Sequence, residues 1–332
     1  MLAMRLSHPS QAETAPLLLS TVRKPQPANG QVLVRVLVCG VCHTDLHIAE
    51  GDIHPPKLPI TLGHQVVGIV EALGHKVEGV RLGTRVGIPW LFSACKKCEF
   101  CIRGEENLCP GARFTGFHID GGFSEYMLAD GKYLLQIPPT FSHEQAAPLL
   151  CAGIIGYRSL RKADLHPGER LGLIGFGASA HLAIQIARYW RCDVYAFSRS
   201  KEHRKHAMEL GASWAGSIEE KSPKLLDRAV IFAPAGDLVP RVLEQLRPGG
   251  TLAINAIHMS KIPAMDYRLI YGERTIRSIA NATFQDGFDF LQLADKINIR
   301  SNVSLYPFKE ANRALLDLKH SSFKGEAVLI IQ

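Results

Sequence analysis

The chain has 332 residues, 46% of them hydrophobic and 21% charged, with a formal net charge of +7. That composition excludes a disordered chain and fits two globular domains, each large enough for its own core. No apolar run approaches the ~20 residues needed to cross a bilayer, and the N-terminus has no long apolar stretch. No membrane span and no secretion signal are therefore expected, and a cytoplasmic protein is. The basic residues are scattered and form no block, which predicts a solvated surface and no nucleic-acid partner.

In chain order, "QVLVRVLVC" at 31–39 alternates as a strand does. "HQVVGIVEALG" reads as a strand with a glycine bend and "GTRVGIPW" as another. Glycine and proline punctuate this half, and long helices are scarce before about residue 143, which predicts an irregular β-rich domain. "SHEQAAPLLCAGIIGYRSLRKADL" then reads as helical. Strand and helix alternate after it: "ERLGLIGFG", "ASAHLAIQIARYW", "DVYAFSR", "KEHRKHAMELGA", "RAVIFAPA", "DLVPRVLEQLRPGG" and "TLAINAI". Such alternation predicts an α/β half with a parallel, doubly wound sheet. From about residue 288 come "FDFLQLADKI" and "FKEANRALLDLK", and the strand-like "EAVLIIQ" closes the chain.

Three constellations carry chemistry. Cys95, Cys98, Cys101 and Cys109 follow the spacing C-x2-C-x2-C-x7-C in a polar loop. Disulfides are not expected in a cytosol-like sequence, and four thiolates converging from one loop predict a closed, structural zinc site. Cys42, His64 and Cys151 lie far apart, each beside a glycine or a polar turn. Two thiolates and one imidazole would leave a fourth tetrahedral position open, as a catalytic zinc requires, although spacing alone does not show that they meet. Cys39 and Cys192 stand in apolar surroundings and read as small buried residues. The third constellation is Gly175, Gly177 and Ala180, a G-x-G-x-x-A turn between a strand and a helix, where a dinucleotide pyrophosphate rests on the helix N-terminus. At the end of the next strand the chain reads Ser198, Arg199, Ser200 and Lys201. No carboxylate stands there to bind ribose hydroxyls or repel a 2′-phosphate, so NADP is expected over NAD.

Together with "GVCHTDLH", "LGHQVVGIV", "GGFSEY", "APLLCAG" and "LRPGGTLAI", these elements resemble the zinc-dependent alcohol dehydrogenases of the medium-chain dehydrogenase/reductase superfamily over nearly the whole chain. The two-cysteine, one-histidine catalytic site is a set for which that family is the standard example. The resemblance implies a GroES-like catalytic domain at 1–150 and 288–332, interrupted by a Rossmann domain at 151–287. It implies two zinc ions per chain, the catalytic one on Cys42, His64 and Cys151 and the structural one on the four clustered cysteines. It places Asp45 as a support of the catalytic ligands, His43 at the cofactor pyrophosphate, and Thr44 and His47 in a proton relay. Gln65 stands where the family usually has glutamate, which changes the charge near zinc. The implied reaction is hydride transfer between a small alcohol or aldehyde and NADP(H), in a homodimer or homotetramer. The alternatives are an NAD-dependent enzyme of the same fold and a non-enzymatic, NADP-binding redox sensor. A quinone reductase of the superfamily would lack the Cys42, His64 and Cys151 set, and a nucleic-acid-binding zinc protein would leave the glycine turn unexplained.

Overall fold

The structure, a computed structural model, describes residues 1–323 and 325–332. The alternating run near residue 31 forms the strand Gln31–Val41, whose burial pattern keeps Val32, Val34 and Val36 inside. It pairs antiparallel with Gln65–Leu73, with Tyr126–Asp130 and with Glu326–Ile330. The sheet continues outward through Arg85–Ile88 to Leu135–Gln136 on one side, and through Glu326–Ile330 to Val303–Pro307 on the other. Two register shifts, at Leu33/Val34 and Val36/Val38, bend the central strand. Beneath it Val32, Val34, Val36, Leu62, Val66, Val70 and Phe123 share one apolar cluster. Each such side chain, fully buried, contributes about 1.5–3 kcal/mol.

The second sheet has six strands, all paired in parallel. Its spatial order is Trp214–Gly216, Asp193–Phe197, Arg170–Ile174, Leu226–Ile231, Leu246–Ile254, Thr275–Ser278. In chain order that is 3-2-1-4-5-6, the doubly wound arrangement whose direction reverses beside the first strand, where a dinucleotide binds. The helices Ala178–Tyr189, Lys201–Glu209 and Leu238–Gln245 follow the strands Arg170–Ile174, Asp193–Phe197 and Leu226–Ile231. At its base Asp227 accepts from Arg170 Nε at 2.7 Å and also pairs with Arg247. Burial works to raise the Asp227 carboxyl, but these guanidinium groups outweigh it and hold it down to about 2.

The chain divides into two compact units, Met1–Ile154 with Ala282–Gln332, and Ile155–Asn281. The boundaries read from sequence, 150/151 and 287/288, therefore shift to 154/155 and 281/282, and Cys151 moves into the first unit. The reason is local. Thr283 and Asp286 form a capping box that starts the helix Phe284–Ile297 before residue 288. Its Phe290 is fully buried and packs so closely on Gly153 that a Cβ there would lie 2.4 Å from the ring. Two helix expectations also change. The helix expected over 142–165 breaks into His143–Ala146, a 3-10 turn Ala147–Leu150, and Ala152–Lys162. Pro148 lacks the N–H that an unbroken helix would use. The helix expected through Gly250 ends at Gln245, because Pro248 and Gly249 enter the strand Leu246–Ile254 instead.

Candidate functional site

Cys42 follows the central strand and is the N-cap of the helix His43–Glu50. Its sulfur accepts from Thr44 N at 3.3 Å, and its own N–H donates to Asp45 Oδ2 at 3.0 Å. Asp45 is fully buried and does more than cap. Its Oδ1 also accepts from Gly63 N at 3.0 Å and lies 3.3 Å from His64 Nδ1. Gly63 precedes His64 with φ +95, and a Cβ there would meet Phe123 at 2.5 Å, so only glycine fits this turn. Cys151 sits where Pro148 has broken the helix, with φ −133 and ψ −71. The interruption frees its side chain from the helical ladder.

These three elements of the first unit bring Cys42, His64 and Cys151 together, with their donor atoms all within 4.8 Å of one another. Cys42 Sγ is 3.2 Å from His64 Nε2. Ligands about 2.3 Å (sulfur) and 2.0 Å (nitrogen) from a tetrahedral zinc would be separated by roughly 3.5 Å, so the residues fit that ion. The electrostatics agree. The Cys151 thiol and the His64 imidazole hold Cys42 well below the usual thiol range, against burial. Burial lowers His64, but the charges of Cys42 and Asp45 outweigh it and keep the imidazole well above its ordinary range. The site is thus built to gather a cation.

The second cluster lies in one loop of the same unit. Cys95, Cys98, Cys101 and Cys109 have their sulfurs within 4.8 Å of one another. Cys95 Sγ and Cys101 Sγ are 3.9 Å apart, close to the ~3.8 Å edge of a zinc–thiolate tetrahedron. Backbone N–H groups of Lys97 and Cys98 pull the Cys95 thiol down to about 6. Cys39 and Cys192, by contrast, are fully buried and belong to neither cluster.

Of the other residues expected at the first site, Thr44 and His47 lie three apart on the helix His43–Glu50, hence on one face. His47 Nδ1 is 2.8 Å from Asp52 Oδ2. The His43 imidazole is lowered, chiefly by burial. Gln65 is fully buried and donates from Nε2 to Glu326 Oε1 at 2.6 Å. Burial and the nearby Cys42 push the Glu326 carboxyl well above the usual range. Sequence reading missed Glu326, and nothing in "KGEAVLIIQ" marks it. The Trp90 and His64 rings meet edge to face with centroids 4.9 Å apart, and Trp90 stacks on Phe114 with centroids 5.1 Å apart.

In the second unit, Gly175 ends the strand Arg170–Ile174 with φ +86, and a Cβ there would lie 3.0 Å from Ala233 N. Gly177 is the N-cap of the helix Ala178–Tyr189, and Ala180 is buried against the sheet. The turn thus leaves the first N–H groups of that helix at the reversal point of the sheet. After the strand Asp193–Phe197, Ser198 bonds Ser200 N at 3.3 Å and Ser200 caps the helix Lys201–Glu209 by accepting from His203 N at 3.2 Å. The Ser200 hydroxyl also donates to Glu202, so it is less available to a ligand than the sequence implied. Arg199 and Lys201 are exposed. Arg204, not singled out by the sequence, reaches back to Ser198 O at 2.9 Å.

A β-rich unit with two thiol clusters and a doubly wound unit with a dinucleotide turn define a zinc-binding, nicotinamide-dependent oxidoreductase. Residues 28–139 match the alcohol dehydrogenase GroES-like domain, and residues 180–296 the zinc-binding dehydrogenase domain. A probable alcohol dehydrogenase AdhA of Mycobacterium tuberculosis is 42% identical over 337 residues, covering 100% of this chain and 97% of that one. An alcohol dehydrogenase of Geobacillus stearothermophilus is 34% identical over 325 residues, covering 95% and 96%. The solved alcohol dehydrogenase of the archaeon Aeropyrum pernix is 29% identical with a TM-score of 0.89, covering 99% of this chain and 100% of that one. The chain belongs to the zinc-dependent alcohol dehydrogenases of the medium-chain superfamily. It is an oxidoreductase of small alcohols or aldehydes that uses zinc and a nicotinamide cofactor.

Proposed function

We propose that the protein is an NADPH-dependent aldehyde reductase, working on Cys42, His64 and Cys151 as catalytic metal ligands and on the 95–109 cysteine loop as a structural site. The observation that carries this is the convergence, among the described residues, of three donors and not four at Cys42, His64 and Cys151, which leaves a tetrahedral position for substrate. Bound zinc supplies Lewis acidity at the substrate oxygen, and bound NADPH supplies the hydride. The chain's own residues do the rest. Asp45 orients His64 and the Cys42 turn through three contacts. Thr44 Oγ1 hands a proton to the substrate oxygen, and His47, oriented through Nδ1 by Asp52, resupplies it from solvent. The N-terminus of the helix Ala178–Tyr189 holds the cofactor pyrophosphate. The Trp90 ring beside His64, with Phe114 and Phe117 against Trp90, favours apolar aldehydes, aryl ones included, over sugars.

Support for NADPH is the exposed Arg199, with Arg204 beside Ser198, at a strand end with no carboxylate among residues 198–201. Eight free cysteines suit a reducing cytoplasm. The strand Thr275–Ser278 leaves the open edge of its sheet exposed at all four residues, with Tyr267 and Tyr271 each 69% exposed, which favours a homodimer or homotetramer. The test is a kinetic panel of short and aromatic aldehydes with NADPH and NADH. Wild-type protein is expected to prefer NADPH. Arg199→Asp is expected to lower kcat/KM for NADPH about 10- to 100-fold and for NADH less than about 3-fold, the loss of one charge-assisted phosphate contact. Equal losses with both cofactors would remove the NADPH assignment.

A further inference from the structure

The hydrogen bond between Gln65 and Glu326 crosses a strand. Gly40 on the central strand is the Cα partner of Gln65 on one side and of Val328 on the other. Gln65 Nε2 reaches over Gly40 to Glu326 Oε1, and both residues are inaccessible, at 0% and 1%. A Cβ at Gly40 would lie 2.9 Å from Gln65 Cδ, so the missing side chain is what lets the bond form. Cys42 lies two residues beyond Gly40 on extended backbone, with φ −131 and ψ 174, which puts its sulfur on the face that the bond crosses. Gln65 is bonded directly to His64. The pair therefore ties the strand that begins just after His64 to the strand Glu326–Ile330, across the strand that leads into Cys42.

The same pair is left short of partners. Gln65 Oε1 and Glu326 Oε2 are both buried acceptors with no hydrogen-bond partner. Leaving such groups unsatisfied is costly, and an apolar pair of equal volume would pack here without that cost. Two orphan oxygens near a pair of thiols and an imidazole would be compensated by a cation held at the centre of that cluster.

We propose that Glu326 is a positioning residue of the metal triad: through Gln65 it fixes the strand start that carries His64, and its carboxyl strengthens retention of the divalent ion. The proposal rests on the reading of Cys42, His64 and Cys151 as zinc ligands. It assigns a role to the C-terminal strand Glu326–Ile330 that none of the motifs suggests.

The experiment follows zinc release from the holoenzyme to a chromophoric chelator, together with the ligand-field spectrum of the cobalt-substituted protein. Wild type is expected to release two zinc ions per chain in separable phases. E326A is expected to speed one phase at least about 10-fold, leave the other unchanged and shift the cobalt bands, in line with the loss of a group that orients a ligand. E326Q keeps an acceptor for Gln65 Nε2 and is expected to fall between the two. Release rates and spectra that match wild type in both variants would overturn the proposal, as would equal acceleration of both phases. If E326A does not fold, E326Q decides alone, and an unchanged rate and spectrum defeat the proposal. A wild-type protein holding only one zinc would instead refute the triad reading itself, whatever the variants do.

Discussion

Cys95, Cys98, Cys101 and Cys109 come from one loop, whereas Cys42, His64 and Cys151 come from a helix N-cap, a strand entry and a broken helix. Short turns place the first set almost without help from the fold. The second set exists only after the central sheet has its register, because Gly40, Gly63, Asp45 and Pro148 each correct the path of one ligand. A local site can be closed by four equal donors and left to hold the chain. A site assembled from distant parts can stop at three donors and leave a working position. The contrast ties each cluster's construction to the job proposed for it: the loop to stabilise, the triad to react.

The sharpest way to break the contrast is Cys42→Ala. It is expected to cut turnover on the order of 10³-fold or more, the several kcal/mol that Lewis-acid stabilisation supplies, while cofactor binding by the second unit persists. Near-normal turnover by this variant, measured with one zinc per chain, would reverse the two roles. Asp45→Asn comes next. An amide cannot accept from Cys42 N and Gly63 N at once without turning its NH2 on one of them. Zinc affinity at the triad is expected to fall about 10- to 100-fold, with the loop zinc untouched, in a chelator competition assay. Loss of both ions in parallel would show that the clusters are not independent. Cys98→Ser should have the smallest effect on chemistry. It is expected to lower the melting temperature by roughly 5–10 °C, at ~2–4 °C per kcal/mol, with kcat within about 2-fold of wild type at low temperature. A large drop in kcat at unchanged melting temperature would contradict a purely structural loop.

Legibility in the sequence followed the same divide. The four-cysteine spacing and the Gly175–Gly177 turn are local, and the residues named from the sequence meet in the structure as the turn chemistry requires. Pro148 was visible, yet the run around it reads as one helix because its apolar spacing is unbroken; only the observed break shows why Cys151 can leave the ladder. The compact units divide at 281/282, several residues before the 287/288 read from the sequence, because the cap at Thr283 and Asp286 starts a helix earlier than its apolar spacing does. Glu326 was invisible. Its meaning depends on which residue it faces two strands away, and sheet register is not written in any short motif.

The place of the strand Glu326–Ile330 has a consequence for biosynthesis. It pairs with the strand that leads into Cys42, yet 261 positions separate Gln65 from Glu326. At about 5–20 residues per second, the ribosome takes roughly 13 to 52 s to span that interval. The whole parallel sheet of the second unit is translated in the meantime, so the first unit waits with an open seam, and its metal cradle acquires this wall only after the second unit has been made.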